Sequence, residues 1–267
     1  MNLKSHLRQY GIKHFDDDSY WEWGGQIIFK AVGEEGMTRL EDLQAPLQTG
    51  DETIEQRQAF YDFISNPDLA GVAHSMKAEA IKTCGEKVMQ FTENRKDILD
   101  FGCNIGYLTT WYAIKNPKSK ITGIDINQKS IRTAQQFAKK LKVKNAEFLG
   151  GELGNLTVGK FDLIVDTQSI FEAANPTGIL HWIFDHLNDD GILVSIPQTP
   201  NLEQFLSHYD KIQNAGLFIK QLEPLQFSDV GKRGGYGVFV AGKKKTIKNF
   251  NKPDEVYGQI LKYVRGC

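Results

Sequence analysis

The sequence holds only three cysteines in 267 residues, at positions 84, 103 and 267, and no C-x-x-C pair. An odd count without paired spacing excludes a disulfide-built fold and a thiolate zinc site, so reduced thiols are expected. Apolar runs are short. None approaches the roughly 20 residues that span a bilayer, and Met1–Tyr10 lacks the apolar stretch of a secretory leader. A cytoplasmic protein with no membrane partner is therefore expected. Charge of one sign is also missing: 32 basic residues face 33 acidic ones. Residues 1–95 carry 10 basic against 16 acidic side chains, residues 96–240 carry 15 of each, and residues 241–267 carry 7 against 2. A neutral middle speaks against an enzyme that tracks nucleic-acid phosphates, although the basic tail keeps RNA as an alternative partner. No internal repeat is visible. The one acidic cluster, Asp16–Asp18, lacks the spaced oxygen pattern of a divalent-ion loop, so no metal is expected.

What is present is an alternation. From Asp97 onward, short apolar runs rich in branched residues alternate with segments of helical period, the signature of a parallel sheet with crossover helices. The expected strands are Asp97–Phe101, Lys120–Ile124, Ala146–Leu149, Phe161–Val165 and Ile192–Ile196, each read as buried on both faces. Ser130–Leu141 and Gly178–Leu187 place their apolar residues at helical spacing. Asn201–Ala215 reads as a further helix, and Phe218–Phe227 with Tyr236–Ala241 as an antiparallel hairpin around GKRGGYG. The fold class is thus α/β: a Rossmann-like, doubly wound, mostly parallel sheet with an antiparallel C-terminal hairpin. Residues 1–93 read as a helical N-terminal cap and substrate lid ending in a long helix, His74–Phe91. Residues 94–242 form the ligand-binding domain, and residues 243–267 a basic tail with a short helix from Pro253.

The chemistry concentrates in DILDFGCNIGY. A strand ends at Asp100, Gly102, Asn104 and Gly106 follow, and a helix starts near Leu108. Glycines there permit a tight turn and close backbone approach to a ligand at a helix N-terminus. Farther on, Asp125 closes the second strand, where a carboxylate can accept hydrogen bonds from both hydroxyls of a ribose. A nicotinamide dinucleotide would need G-x-G-x-x-G, and Asn104 and Tyr107 occupy two of those places.

The same residues resemble the first motif of class I S-adenosylmethionine-dependent methyltransferases, D-x-G-x-G-x-G, with Asn104 in place of the central glycine. Asn tolerates left-handed backbone angles better than most residues. The likeness extends from about Leu99 to Gly242 and includes the strand order, Asp125 and the C-terminal hairpin. It implies S-adenosylmethionine as cofactor. Asp100, Gly102, Asn104 and Gly106 would surround its methionine moiety, Asp125 would hold the ribose, and Ile126 would lie against adenine. Glu152 and Leu153 would recognise the adenine, and Asp166 and Thr167 would line the crevice beside the sulfonium. The implied reaction is methyl transfer to oxygen or nitrogen of a small organic acceptor. A protein of this fold that binds without methylating is a further alternative.

Methyl transfer rests chiefly on alignment. A base helps when the acceptor is a hydroxyl, and Glu172 and His74 are the candidates. Ser169 and Phe171, after the fourth strand, and Tyr20, Trp21 and Trp23, in the aromatic stretch HFDDDSYWEWGG, are candidate acceptor-binding residues. Blander readings stand beside these. Asp125 would also suit the N-cap of a helix near Gln128, Glu152 a solvated loop, and the aromatics simple packing of the cap.

Overall fold

The structure, a computed structural model, describes residues 1–15, 19–49, 53–75, 77–225, 235–245 and 252–265. Before the sheet come α1 (Leu3–Leu7), α2 (Ser19–Thr49), α3 (Ile54–Ile64), α4 (Pro67–Ser75) and α5 (Ala78–Met89). The sheet region runs β1 (Asp97–Phe101), α6 (Tyr107–Lys115), β2 (Lys120–Asp125), α7 (Gln128–Lys140), β3 (Ala146–Gly150), β4 (Phe161–Asp166), α8 (Pro176–His186), β5 (Leu187–Ser195), α9 (Leu202–Asn214), β6 (Phe218–Pro224) and β7 (Gly237–Gly242). It is followed by α10 (Pro253–Arg265). The seven strands lie in the order β3-β2-β1-β4-β5-β7-β6, with β7 antiparallel to both of its neighbours.

Strand periodicity divides the core between two faces. Ile98, Leu163 and Val194 turn to one face, where α5 and α6 cover them. Leu99, Ile164 and Leu193 turn to the other, under α8, α9 and α10. The first turns of the helices are closed by short polar side chains: Asn127 accepts from the Ser130 amide, and Asn175 and Asn201 cap α8 and α9 in the same way.

Four expectations change. The helix expected over His74–Phe91 is two helices, because α4 ends at Ser75 and α5 begins at Ala78. Strand β3 is an edge strand in which only Phe148 is buried, so it is not doubly covered. Strand β5 starts at Leu187 and contains a register shift before Ile192. Most consequentially, the first dozen residues are not a lid. Leu3, Leu7, Tyr10 and Ile12 are buried in the same cluster as Ile98 and Leu108, beneath α6. The hairpin turn expected near 226–234 and the acids Asp16–Asp18 lie outside the described residues. Cys84 and Cys103 are buried free thiols, and burial pushes the Cys84 thiol up to about 12.

Candidate functional site

Strands β1, β2 and β4 end side by side, with Phe101 opposite both Ile124 and Asp166. Whatever follows them therefore shares one rim of the sheet. The chain leaves β1 through three left-handed residues, Gly102 (φ 70°), Asn104 (φ 50°) and Gly106 (φ 77°). Gly106 is fixed by space as well as by angle, since a Cβ there would come within 2.6 Å of the Phe148 ring and 2.9 Å of Ala134. Asn104 turns its departure from the glycine pattern to use: its Oδ1 accepts from the Ile105 amide at 2.8 Å. Its own amide donates to Asp125 Oδ2 at 2.8 Å.

Asp125 is thus tied to the turn. Its other oxygen accepts from the Asn127 amide at 2.8 Å, and Asn127, not Asp125, caps α7. The helix-cap reading of Asp125 is set aside. Ile126, next along, is 53% exposed at the strand mouth, an open apolar surface beside a carboxylate.

Asp100 lies beneath the turn, buried, with Thr109 Oγ1 donating to it at 2.5 Å. Burial pushes its carboxyl up to about 7 against that hydrogen bond, and the nearby Asp166 and Asp125 push in the same direction. Asp125 and Asp166 are themselves raised by burial. Among the described residues no basic side chain offsets these three carboxylates. That concentration of buried negative charge suits a cationic ligand.

Asp166 requires a correction. It is fully buried, and its oxygens accept from the amides of Ser169 (2.8 Å) and Ile170 (3.0 Å) and from Ser195 Oγ (2.6 Å). Its carboxylate builds the loop and does not line the crevice. The half-buried Thr167 and Ser169 remain at the rim, and a Cβ on Gly102 would collide with Ser169 Oγ, so the two exits touch. Phe171 is also reassigned: its ring stacks on His208 at 3.9 Å, on the packed side of the loop. Glu172 is an ion-pair residue, 3.8 Å from Arg57, whose guanidinium also donates to the Glu172 carbonyl. That pairing removes it as a free acid. Glu152 is exposed and Leu153 half-buried in a short turn after β3.

Helix α3 forms a strap over this rim. Arg57 near its start meets the loop after β4. At the other end Asp62 accepts from Asn127 Nδ2 at 2.6 Å, Ser65 Oγ lies 2.6 Å from Ser130 Oγ, and Thr133 donates to the Ser65 carbonyl at 3.0 Å. His74 approaches from α4, with its ring edge-on to Tyr107 at 5.3 Å. Its Nδ1 donates to the Ala70 carbonyl at 2.7 Å, which leaves Nε2 as the lone-pair nitrogen. Burial and then Lys77 hold this imidazole down at about 4, against the raising effect of the Ala70 bond, so it is neutral. Neither His74 Nε2 nor the Tyr107 hydroxyl has a hydrogen-bond partner among the described residues, and both residues are half-buried. Burial raises the Tyr107 phenol well above its usual value, and the charges of Asp100, Tyr61 and Asp125 add to the shift. Trp23 packs 5.0 Å from Phe15, with Lys13 Nζ 4.5 Å over its ring. The Tyr20 and Trp21 side chains lie outside the described set.

Several of these residues escaped sequence reasoning. Arg57, Tyr61, Asp62 and Asn127 carry no local pattern. Tyr107 was visible only as a mismatch to the dinucleotide motif.

Comparison with known proteins agrees with the geometry. A family model described as a methyltransferase domain matches residues 92–230, about half of the chain. Malonyl-acyl-carrier-protein O-methyltransferase of Bacillus cereus is 28% identical over 143 residues, 53% of this chain and 51% of that protein. The chain spans about half the length of such curated relatives. Among solved structures, mitomycin 7-O-methyltransferase MmcR superposes with a TM-score of 0.56 at 14% identity, over 76% of this chain and 67% of that one. The (4+2)-cyclase SpnF superposes at 0.54 and 19% identity, over 64% of this chain and 83% of that one. Identities this low speak for the fold alone. The family match, the strand order and the left-handed turn tied to Asp125 together make the chain a member of the class I S-adenosylmethionine-dependent methyltransferase family.

Proposed function

We propose that the protein binds S-adenosylmethionine at the β1–β2 rim and methylates a hydroxyl oxygen of a small organic acceptor held beneath α3. The observation that carries this reading is the set of three carboxylates without a basic partner, the buried Asp100 and Asp166 and the half-buried Asp125, set around a left-handed turn and an open Ile126. When bound, the cofactor supplies an electrophilic methyl group on a cationic sulfonium.

The chain's own residues have distinct tasks. Asp125, with both oxygens already oriented by amides, accepts from the ribose hydroxyls. Ile126 lies against the adenine, and Leu153 and Glu152 complete that wall. Asp100 receives the positive charge of the methionine end, beside Gly102 and Gly106. Thr167 and Ser169 close the rim toward the acceptor. His74 Nε2 takes the proton of the acceptor hydroxyl. A weak base suffices, because an oxygen gaining a methyl group becomes acidic as the bond forms.

The hydroxyl reading is supported by the tautomer of His74, fixed by Ala70. A carboxylate acceptor would need no base. The basic run does not favour an RNA acceptor. Lys243 donates to the Leu187 carbonyl and Lys244 to Asp190, both at the start of β5, the end of the sheet opposite the crevice.

The test is thermal unfolding with S-adenosylmethionine, with S-adenosylhomocysteine and with a nicotinamide dinucleotide. Ligand at about 100 times its dissociation constant adds about 2.7 kcal/mol, a rise of several degrees for a chain of this size. Stabilisation by the adenosyl ligands alone is expected, and stabilisation by the dinucleotide alone would overturn the reading. Release of S-adenosylhomocysteine with a panel of phenols and alcohols, and its loss in His74→Ala, separates methyl transfer from binding without transfer.

A further inference from the structure

The N-terminal arm makes polar contacts that packing alone does not require. Tyr10 is 1% exposed, yet its hydroxyl lies 2.5 Å from Thr110 Oγ1 and 3.3 Å from the Gly106 carbonyl oxygen. Thr110 Oγ1 itself donates to the Gly106 carbonyl at 3.0 Å. His6 is fully buried, with Nε2 2.9 Å from the Tyr107 carbonyl and 3.1 Å from Thr110 Oγ1. A carbonyl only accepts, so Nε2 carries the hydrogen and Nδ1 is the bare nitrogen, buried without a partner. A leucine in place of His6 would fill similar space without a buried, unpartnered nitrogen, which costs stability. The donors are instead aimed at two carbonyls, those of Gly106 and Tyr107.

The other side of the arm meets α4. A Cβ on Gly71 would collide with the Tyr10 carbonyl oxygen and come within 2.7 Å of Gly11 Cα, so the two backbones are in direct contact. The Lys13 amide donates to Ser75 Oγ at 2.9 Å, and Ser75 donates in turn to the Gly71 carbonyl at 2.7 Å. His74 sits between these anchor points. The arm thus touches the turn that carries Tyr107 and the helix that carries His74.

We propose that Tyr10 and His6 are positioning residues that hold the Gly106–Tyr107 turn at the head of α6 in register with His74. The proposal rests on the reading above that this turn receives the adenosyl cofactor. It assigns the arm to the reaction itself, as the spacer between the cofactor turn and the acceptor-side base. Donors from the arm restrain the first turn of α6 laterally, which the helix's own axial hydrogen bonds do not.

The test compares Tyr10→Phe, Thr110→Val and the double variant with Thr110→Ser, which keeps the hydroxyl, and Leu3→Ala, a packing change in the same arm. Three quantities are measured: amide hydrogen exchange of residues 104–111 without ligand, the dissociation constant for S-adenosylhomocysteine, and kcat against KM. Tyr10→Phe and Thr110→Val are expected to speed exchange in 104–111 above the rest of the sheet. They should weaken S-adenosylhomocysteine by roughly 3- to 10-fold, the scale of one neutral hydrogen bond. The double variant should be no worse than the weaker single, because both remove one network. Thr110→Ser should restore affinity, and Leu3→Ala should lower the melting temperature without changing it. Unchanged exchange and affinity in Tyr10→Phe would overturn the proposal, as would equal affinity loss in Leu3→Ala. If Tyr10→Phe does not fold, the contrast of Thr110→Val with Thr110→Ser decides the same question. Failure of the wild-type protein to bind either adenosyl ligand would refute the cofactor reading, and the exchange data would still decide whether the arm restrains the turn.

Discussion

The carboxyl rim of the sheet has two halves built on different terms. On the β1–β2 side everything is fixed: three left-handed residues, a carboxylate with both oxygens oriented by amides, and a glycine with no room for a methyl group. On the β4 side, α3 crosses above a loop whose contact with it includes a part-exposed ion pair between Arg57 and Glu172. The first half is held by backbone geometry, and the second by a contact that includes a part-exposed side-chain pair. On the proposed function, the fixed half is the one that holds the cofactor and the looser contact lies beside the acceptor.

The contrast can be broken most forcefully at Gly106. Gly106→Val puts a branched side chain at φ 77° and drives it into Phe148 and Ala134. A destabilisation of several kcal/mol and loss of cofactor binding are expected, from strain and overpacking together. Chemical denaturation with ligand titration measures both. Asp125→Ala comes next: it removes the ribose acceptor and the tie to Asn104, and should weaken S-adenosylhomocysteine by about 1.5–3 kcal/mol, roughly 10- to 150-fold. Isothermal titration reads this directly, and unchanged affinity would sink the ribose assignment.

A third effect is set by pH. Asp100 keeps its proton up to about 7 in the ligand-free protein, well above its unfolded value. Between those two values the folded state holds more protons than the unfolded state, so this group's contribution to stability falls as pH rises. A cationic ligand favours the ionised form, so affinity should rise with pH up to about 7, by at most about tenfold per unit, and then level off. Affinities for S-adenosylmethionine from pH 5 to 8, and proton release in buffers of different ionisation enthalpy, would show it. Asp100→Asn should flatten the profile. The smallest effect is expected from Arg57→Gln, whose pair with Glu172 is part-exposed and worth about 1 kcal/mol or less. It should move the acceptor KM while leaving the dissociation constant for S-adenosylhomocysteine alone. An equal loss of cofactor affinity would erase the distinction between the halves.

The same contrast governs what the sequence disclosed. DILDFGCNIGY is local: strand, turn and helix start follow one another, so the glycines and Asp125 were readable from spacing. The α/β rhythm was readable because buried parallel strands are short branched runs. The β4 half was not, because it is assembled by contacts between distant segments, such as Arg57 with Glu172, that leave no period in the chain. Residue type misled at Asp166, Phe171 and Glu172, where the right chemistry was present but already committed to neighbours. The burial of the arm in the sheet's core is not legible either, because Leu3, Leu7 and Tyr10 say only that something apolar is covered, not what covers it.

That arm also bears on how the protein is made. Tyr10 and its partners on α6 are about a hundred residues apart. At synthesis rates of roughly 5–20 residues per second, the arm is made about 5–20 seconds before the helix it packs against. During that interval Leu3, Leu7, Tyr10 and Ile12 lack the α6 partners that cover them in the fold. The arm can be seated only once β1 and α6 have been made, so its docking belongs to the assembly of the sheet and not to the folding of its own neighbourhood in the chain.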